Sequence, residues 1–422
     1  MEKHKNIPQL RFPEFEAEWK LKRLGDVTEI YDGTHQTPNY VKNGIPFYSV
    51  EQVTANDFTN TKFVTEEVYE SERRRVVIEK GDILMTRIGD IGTPRYVDWD
   101  VRASFYVSLA LIKQSDKYNS EFFSQYISTE TFKKELWNRT IHVAFPIKIN
   151  LGEIGNCKAF FPSLYEQQKV ASFFTAINKK ISQLKQKKNL LEQYKKGVMQ
   201  KIFSQQIRFK DDNGQEFLKW EKSKFGKLYT FRVTNSLSRD NLNYDYGDIK
   251  NIHYGDIHTK FRTLFDITKE DVPFINPDIS LKGISSDNYC KTSDIVFADA
   301  SEDLADVGKS IELVNLNNEK ILAGLHTILA RPDISKIAFG FGGYLMKSMD
   351  VRKQIMKIAQ GSKITSISST RLCDIELIIP CLAEQTKIAN FLSAIDEKIN
   401  CTQVQIEKAK MWKKGLLQQM FV

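Results

Sequence analysis

The residues able to do chemistry sit in short polar loops. The stretch YDGTHQTPNY places Thr34, His35, Gln36 and Thr37 between Gly33 and Pro38. Arg73, Arg74 and Arg75 run together ahead of an apolar segment, Arg87 sits in MTRIGD, and Arg102 and Tyr106 flank the run RASFYVSLALIK. Farther on, IHYGDIHTKFR holds His253, Tyr254, His258, Thr259, Lys260 and Arg262. Arg and Gln can each offer two hydrogen-bonding groups to one base edge, Arg to guanine and Gln to adenine, while Thr and Lys suit phosphate oxygens. The chemistry these sets favour is contact with a nucleic acid. A triple Arg can also be no more than a solvated strand end.

Bond-breaking signatures are missing. DLADVGKS at 303–310 has Gly308-Lys309-Ser310 but carries Asp303 where a phosphate-cradling loop needs its first glycine. FGFGGY at 339–344 lacks the spacing of a dinucleotide turn and reads as a tight turn into a helix. His253 and His258 bracket Asp256, but a gap of five aligns them on neither face of a helix nor one side of a strand, so no metal site is expected. No Asn- or Asp-Pro-Pro-aromatic tetrapeptide is present to line a pocket for an extruded base. Cys157, Cys290, Cys373, Cys381 and Cys401 form no CxxC pair, which favours isolated reduced thiols. The expectation is a chain with no catalytic residue, metal or cofactor of its own.

At 422 residues the chain is long enough for two domains with connectors. The polar opening MEKHKNIPQL has no apolar core of a signal peptide, and no run is apolar enough to cross a bilayer, so a cytoplasmic protein without membrane contact is expected. The formal net charge of +8 is concentrated between Pro162 and Gln205, where about nine Lys face about two Glu. Such a balance suits a polyanion or an acidic protein surface, and Lys179, Lys180, Lys185, Lys187 and Lys188 fit either, or plain solvation.

The strongest pattern is a repeat. PSLYEQQKVASFFTAINKKI from Pro162 recurs as PCLAEQTKIANFLSAIDEKI from Pro380, an offset of about 218 residues with roughly 16 of 43 aligned positions identical. Each copy reads as one long helix. Proline opens it, Ser163 is a candidate cap, and Glu166 lies near the positive end of the helix dipole. Val170, Ile177, Leu184 and Leu191 fall seven apart, with Phe174 and Ile181 in the partner row. The second copy places Ile388, Ile395 and Leu416 in one row and Leu392, Ile399 and Ile406 in the other. Lys188, Lys195 and Thr402 interrupt this seam. A stripe of that length needs cover. Two matched stripes in one chain predict antiparallel pairing, with a rod of about 64 Å from about 43 residues at about 1.5 Å each.

The intervening regions differ in sequence but share β-rich runs followed by helical texture, and each half opens with a similar phrase, LRFPEFEAEWKLKRLG and IRFKDDNGQEFLKWEKSKFG. The expected fold is α+β: two mixed α/β domains separated by two long antiparallel helices in a coiled coil, with a pseudo-twofold internal repeat. The boundaries expected are 1–161, 162–205, 206–379 and 380–422.

The doubled P-x-L-x-E-Q-x-K-(V/I)-A-x-F segments, the KKG steps at 195–197 and 413–415, and the paired openings resemble the specificity subunits of type I restriction-modification enzymes. YDGTHQTPNYV and IHYGDIHTKF are similar to loops of that family's target-recognition domains. The resemblance implies that each variable domain recognises one half of a split double-stranded DNA target, across a gap set by the helices. It also implies two methyltransferase subunits bringing S-adenosylmethionine to methylate adenine, and restriction subunits using ATP and Mg²⁺. The rival readings are a coiled-coil scaffold without DNA specificity and an enzyme with its own site.

Overall fold

A computed structural model describes residues 6–422, so the first five residues of the polar opening lie outside the described residues. The chain forms two compact units, Met1–Lys185 with Val404–Val422, and Gln186–Gln403. Both long helices are uninterrupted, Leu164–Phe203 with 40 residues and Leu382–Met420 with 39.

In the first unit, the strand Lys20–Arg23 pairs antiparallel with Lys158–Phe161. A four-stranded sheet runs in the order Ile30–Asp32, Leu109–Ile112, Ile83–Ile88, Asp90–Tyr96. Leu109–Ile112 reads LALI and is buried throughout, the continuous apolar run expected of a strand covered on both faces. A smaller sheet orders Lys62–Val64, Ile45–Tyr48 and Ser104–Phe105, the last two parallel. Helices Ser120–Ile127 and Glu130–Asn138 start where Asn119 and Thr129 side chains accept from the backbone N–H of Phe122 and Phe132. Their aromatic faces, with Trp19 and Phe161, fill the core.

The second unit repeats this plan. Glu221–Lys224 pairs antiparallel with Glu376–Ile379. Its main sheet orders Tyr229–Arg232, Thr327–Pro332, Ile295–Ala298 and Ser310–Asn315, with Leu264–Asp266 added at the edge. The smaller sheet orders Leu242–Asn243, Phe274–Ile275, Ile249–Ile252 and Lys320–Ala323, and again the last two are parallel. A shared strand order, extended in the second unit by Leu264–Asp266 and Leu242–Asn243, is built twice from unrelated sequence and is the internal repeat.

The long helices pack antiparallel. In the first unit, Val170, Phe174, Ile177 and Ile181 from the start of the first helix share a core with Leu416, Leu417, Met420 and Phe421 from the end of the last. In the second unit, Ile202 and Val198 from the end of the first helix share a core with Ile388, Leu392, Ile395 and Ile399 from the start of the last. The expected antiparallel packing is thereby met at both ends of the pair. Each end of the pair is also part of a domain core, and Leu191 and Ile399 are only half-buried, whereas Leu184 and Ile406 are buried. The interruptions are accommodated locally. Thr402 is buried with its hydroxyl donating to the Lys398 carbonyl at 2.7 Å, Lys195 reaches Asp396, and Lys188 lies 3.6 Å from Glu192.

Candidate nucleic-acid interface

The repeated Glu-Gln step anchors the frame that carries the loops. Glu166, 2% exposed, accepts from Arg11 Nε and Nη2, both at 2.8 Å, and from Trp19 Nε1 at 3.2 Å. Glu384 accepts from Arg208 Nε at 3.2 Å and Nη2 at 2.6 Å, and from Trp220 Nε1 at 3.1 Å. Arg11 and Arg208 each donate a further bond to a backbone carbonyl, of Ala17 and of Leu218. Beside each Glu, the Gln side chain bridges backbone groups. Gln167 accepts from Asn119 N and donates to Pro162 O, while Gln385 accepts from Ala338 N and donates to Lys336 O and Pro380 O. Trp19 meets Phe421 at 6.1 Å and Trp220 meets Phe203 at 6.3 Å, each at the end of the other long helix. Glu166 also lies in the first turn of its helix, where the helix dipole favours a carboxylate. The signal for this clamp was present in the Arg-Phe and Trp shared by the two opening phrases. Ser163 does cap the helix, accepting from Glu166 N at 3.3 Å.

On this frame, the first unit gathers most of its candidate residues around Asp32. Asp32 takes ion pairs from Arg75 and from His35 at 2.9 Å. Burial opposes ionisation of Asp32, but the hydrogen bonds from Arg75 and His35 outweigh it and hold the carboxyl below its ordinary range. Gly33 follows because a Cβ there would lie 1.9 Å from the Phe105 carbonyl oxygen. Thr34 bridges to Tyr106, and the Thr37 hydroxyl lies 3.3 Å from the Tyr106 hydroxyl. A cavity of about 260 Å³ opens here, walled by Thr34, His35, Arg73 and Arg75. Tyr69 carries the guanidinium groups of Arg102 at 4.9 Å and Arg73 at 5.8 Å from its ring, and these pair with Glu66 and Glu70. Gln36 and Arg74 are exposed, and among the described residues neither side chain has a hydrogen bond or ion pair.

Arg87 departs from expectation. It is 6% exposed, donates to the carbonyls of Ile149 at 3.1 Å and Val107 at 2.6 Å, and stands 3.6 Å behind Asp32. It supports the loop from inside and does not reach the surface, because the strand Ile83–Ile88 that carries it is central to the sheet.

In the second unit, His253, Tyr254, His258, Thr259 and Lys260 surround the short helix Tyr254–Thr259. His253 is its buried cap: Nδ1 faces Gly255 N at 3.1 Å and Arg239 Nη2 at 3.2 Å. Burial, and the Arg239 charge beside it, keep this imidazole below its ordinary pKa and therefore neutral. His258 Nε2 instead meets the Ala300 carbonyl at 3.0 Å, so the two histidines do not converge on a metal. Asp256, 1% exposed, takes both Arg239 nitrogens and Lys260, which also donates to Tyr244. Tyr254 packs between His253 at 4.6 Å and His326 at 5.3 Å. The outward groups include Tyr244, Tyr246, Thr259 and Lys260, with Arg239 and His326 also exposed. Arg262 turns away to Glu270 at 3.7 Å and leaves the group. Arg239, Tyr244 and His326 were missed in the sequence, because only the fold brings their three separate loops together.

Two comparisons of sequence and one of structure bear on this arrangement. The sequence model of the family described as type I restriction modification DNA specificity domain matches residues 16–193 and again residues 219–410. The putative type I restriction enzyme MjaX specificity subunit of Methanocaldococcus jannaschii is 22% identical over 97% of this chain and 94% of its own length. The MjaVIII specificity subunit of the same organism is 26% identical over 50% of this chain and 51% of its own. Among solved structures, the type I restriction-modification S subunit from M. genitalium covers 99% of both chains at 11% identity, with a TM-score of 0.58. A chain from a structure on complex assembly and conformational transition of the type I R-M system covers 96% and 97% at 13% identity, with a TM-score of 0.56.

Proposed function

Because the chain belongs to the family of type I restriction-modification DNA specificity subunits, we propose that each of its two compact units reads one half of a bipartite duplex target. It is a specificity subunit with two target-recognition domains, the non-catalytic component of a system assembled from several kinds of subunit. The observation that carries the split-target reading is that one frame is built twice around loops of unlike sequence. The Glu–Arg–Trp clamp and the strand order recur, while Thr34–Thr37 with Arg73–Arg75 in one unit answer to Tyr244, Thr259 and Lys260 in the other. An unchanging frame with interchangeable reading loops is what two independent half-sites require.

In this reading the constant helices set the gap between half-sites and dock two methyltransferase subunits. Those subunits bring S-adenosylmethionine and methylate adenine, and restriction subunits supply ATP- and Mg²⁺-dependent cleavage. Arg74 and Gln36, with free hydrogen-bonding edges, are the base readers of the first unit, and Arg73, Arg75 and Arg102 flank them as phosphate contacts. The test is binding of the chain, assembled with its methyltransferase partners, to a library of duplexes. One bipartite sequence should be selected, with an affinity that falls steeply with salt. Equal affinity for scrambled duplexes at physiological salt favours the scaffold reading instead.

A further inference from the structure

Away from the reading loops, each unit has a cavity against a long helix, and the two cavities use the same helix positions. In the first unit Thr175, Asn178, Lys179 and Ser182 form the helix wall of a space of about 630 Å³. In the second, Ser393, Asp396, Glu397 and Asn400 wall a space of about 340 Å³. These residues correspond pairwise at the repeat offset of about 218 residues. Their charges do not correspond.

In the second unit Asp266, Glu397 and Asp396 balance the lining cations Arg262, Lys269 and Lys347. Asp396 Oδ1 accepts from Lys195 Nζ at 2.5 Å and Oδ2 from the Tyr344 hydroxyl at 2.8 Å. The repeat partner of Lys195 is Lys413, which lines the first cavity. There Asn178 stands in place of Asp396 and Lys179 in place of Glu397, and Lys185 adds a further cation. The carboxylates of that cavity are engaged, Glu121 with the Thr175 hydroxyl and Asp98 with Arg95 at 2.8 Å. Among the described residues Lys413, Lys179 and Lys185 have no hydrogen bond or ion pair. Burial alone lowers the pKa of Lys413, as for an ammonium partly stripped of water without a counter-ion.

We propose that the first-unit cavity binds a phosphate group through Lys413, Lys179, Lys185 and the Asn178 amide, and that the second-unit cavity does not. Three ammonium groups and an amide donor supply more charge and more donors than one carboxylate would need. The phosphate comes either from a free phosphate-bearing molecule or from the backbone of bound DNA, and the site does not depend on which loops read bases.

The variant Asn178→Asp installs the carboxylate that the second unit already accommodates beside the equivalent lysine, so folding is preserved and a thermal melt checks this. Inorganic pyrophosphate, titrated into the full chain by calorimetry, should bind the parent chain and bind Asn178→Asp at least about tenfold more weakly. Asp396→Asn, in the other unit, should leave that affinity unchanged. On duplex DNA, a salt-dependence slope reduced by about 0.9 in Asn178→Asp marks a backbone phosphate as the source. An unchanged slope with lost pyrophosphate binding marks a free one. Pyrophosphate affinity equal in the parent and Asn178→Asp chains with an unchanged DNA slope overturns the proposal, as does equal weakening by Asp396→Asn.

Discussion

At the scale of single residues, the fold depends on two buried carboxylates. Removing one partner of a buried, hydrogen-bonded ion pair strands the other, at about 3–5 kcal/mol. Glu166→Ala leaves the Arg11 charge without its counter-ion and the Trp19 N–H unbonded in the first unit, and Glu384→Ala does the same to Arg208 and Trp220 in the second. Urea unfolding should therefore show a loss of about 3 kcal/mol or more in the unit concerned. Gln36→Ala and Arg74→Ala should have no such effect on stability. Each should weaken recognition of the first half-site alone, by about 1–3 kcal/mol where a two-point base contact is lost. Arg87→Ala belongs with the carboxylates: it vacates carbonyls inside the sheet, so the melting temperature falls, and no base preference changes.

At the scale of elements, the paired helices and a turn held by a buried carboxylate in the second unit can be tested separately. Deleting one heptad from the first long helix and the matching heptad from the last keeps the apolar rows in phase. The DNA gap should shorten while both half-site sequences survive, as read by methylome sequencing. Altered half-site sequences would refute the gap-setting role. Glu312 marks the other device. It is 1% exposed, takes the N–H of Gly340 at 2.6 Å and of Gly343 at 2.7 Å, and burial pushes its pKa up to about 7. The unfolded chain releases this proton near the ordinary carboxylate pKa, whereas the folded chain holds it to about 7. Its stabilising contribution is thus complete below the unfolded value and is lost as pH rises towards 7. Thermal melts should show the second unit weakening over that window, and Glu312→Gln should flatten the dependence.

At the scale of the whole molecule, the division between frame and loops makes a modular prediction. The clamp residues lie in the openings and long helices, outside the variable runs. Replacing residues 21–161 with the corresponding region of another family member should change one half-site and preserve the other. Methylome sequencing of a host carrying the chimera checks this, and a change in both half-sites would count against independent reading.

The sequence alone determined the large-scale plan. A heptad over some forty residues without proline makes a helix, and two matched stripes in one chain cover each other, because such a stripe is unstable in water. The repeat of Glu-Gln and Trp therefore announced the long helices, the duplication and the antiparallel pairing. Tertiary structure decided what sequence spacing does not encode. Arg87 and Arg74 are both arginines beside apolar runs, yet one is on a central strand and the other on an exposed turn, and only sheet order separates them. The Arg239–Asp256–His253 support and the Lys413 cavity each join residues distant in sequence, and their chemistry follows from which charges end up adjacent after folding. Local periodicity reports what a segment must bury, whereas a site depends on which segments meet.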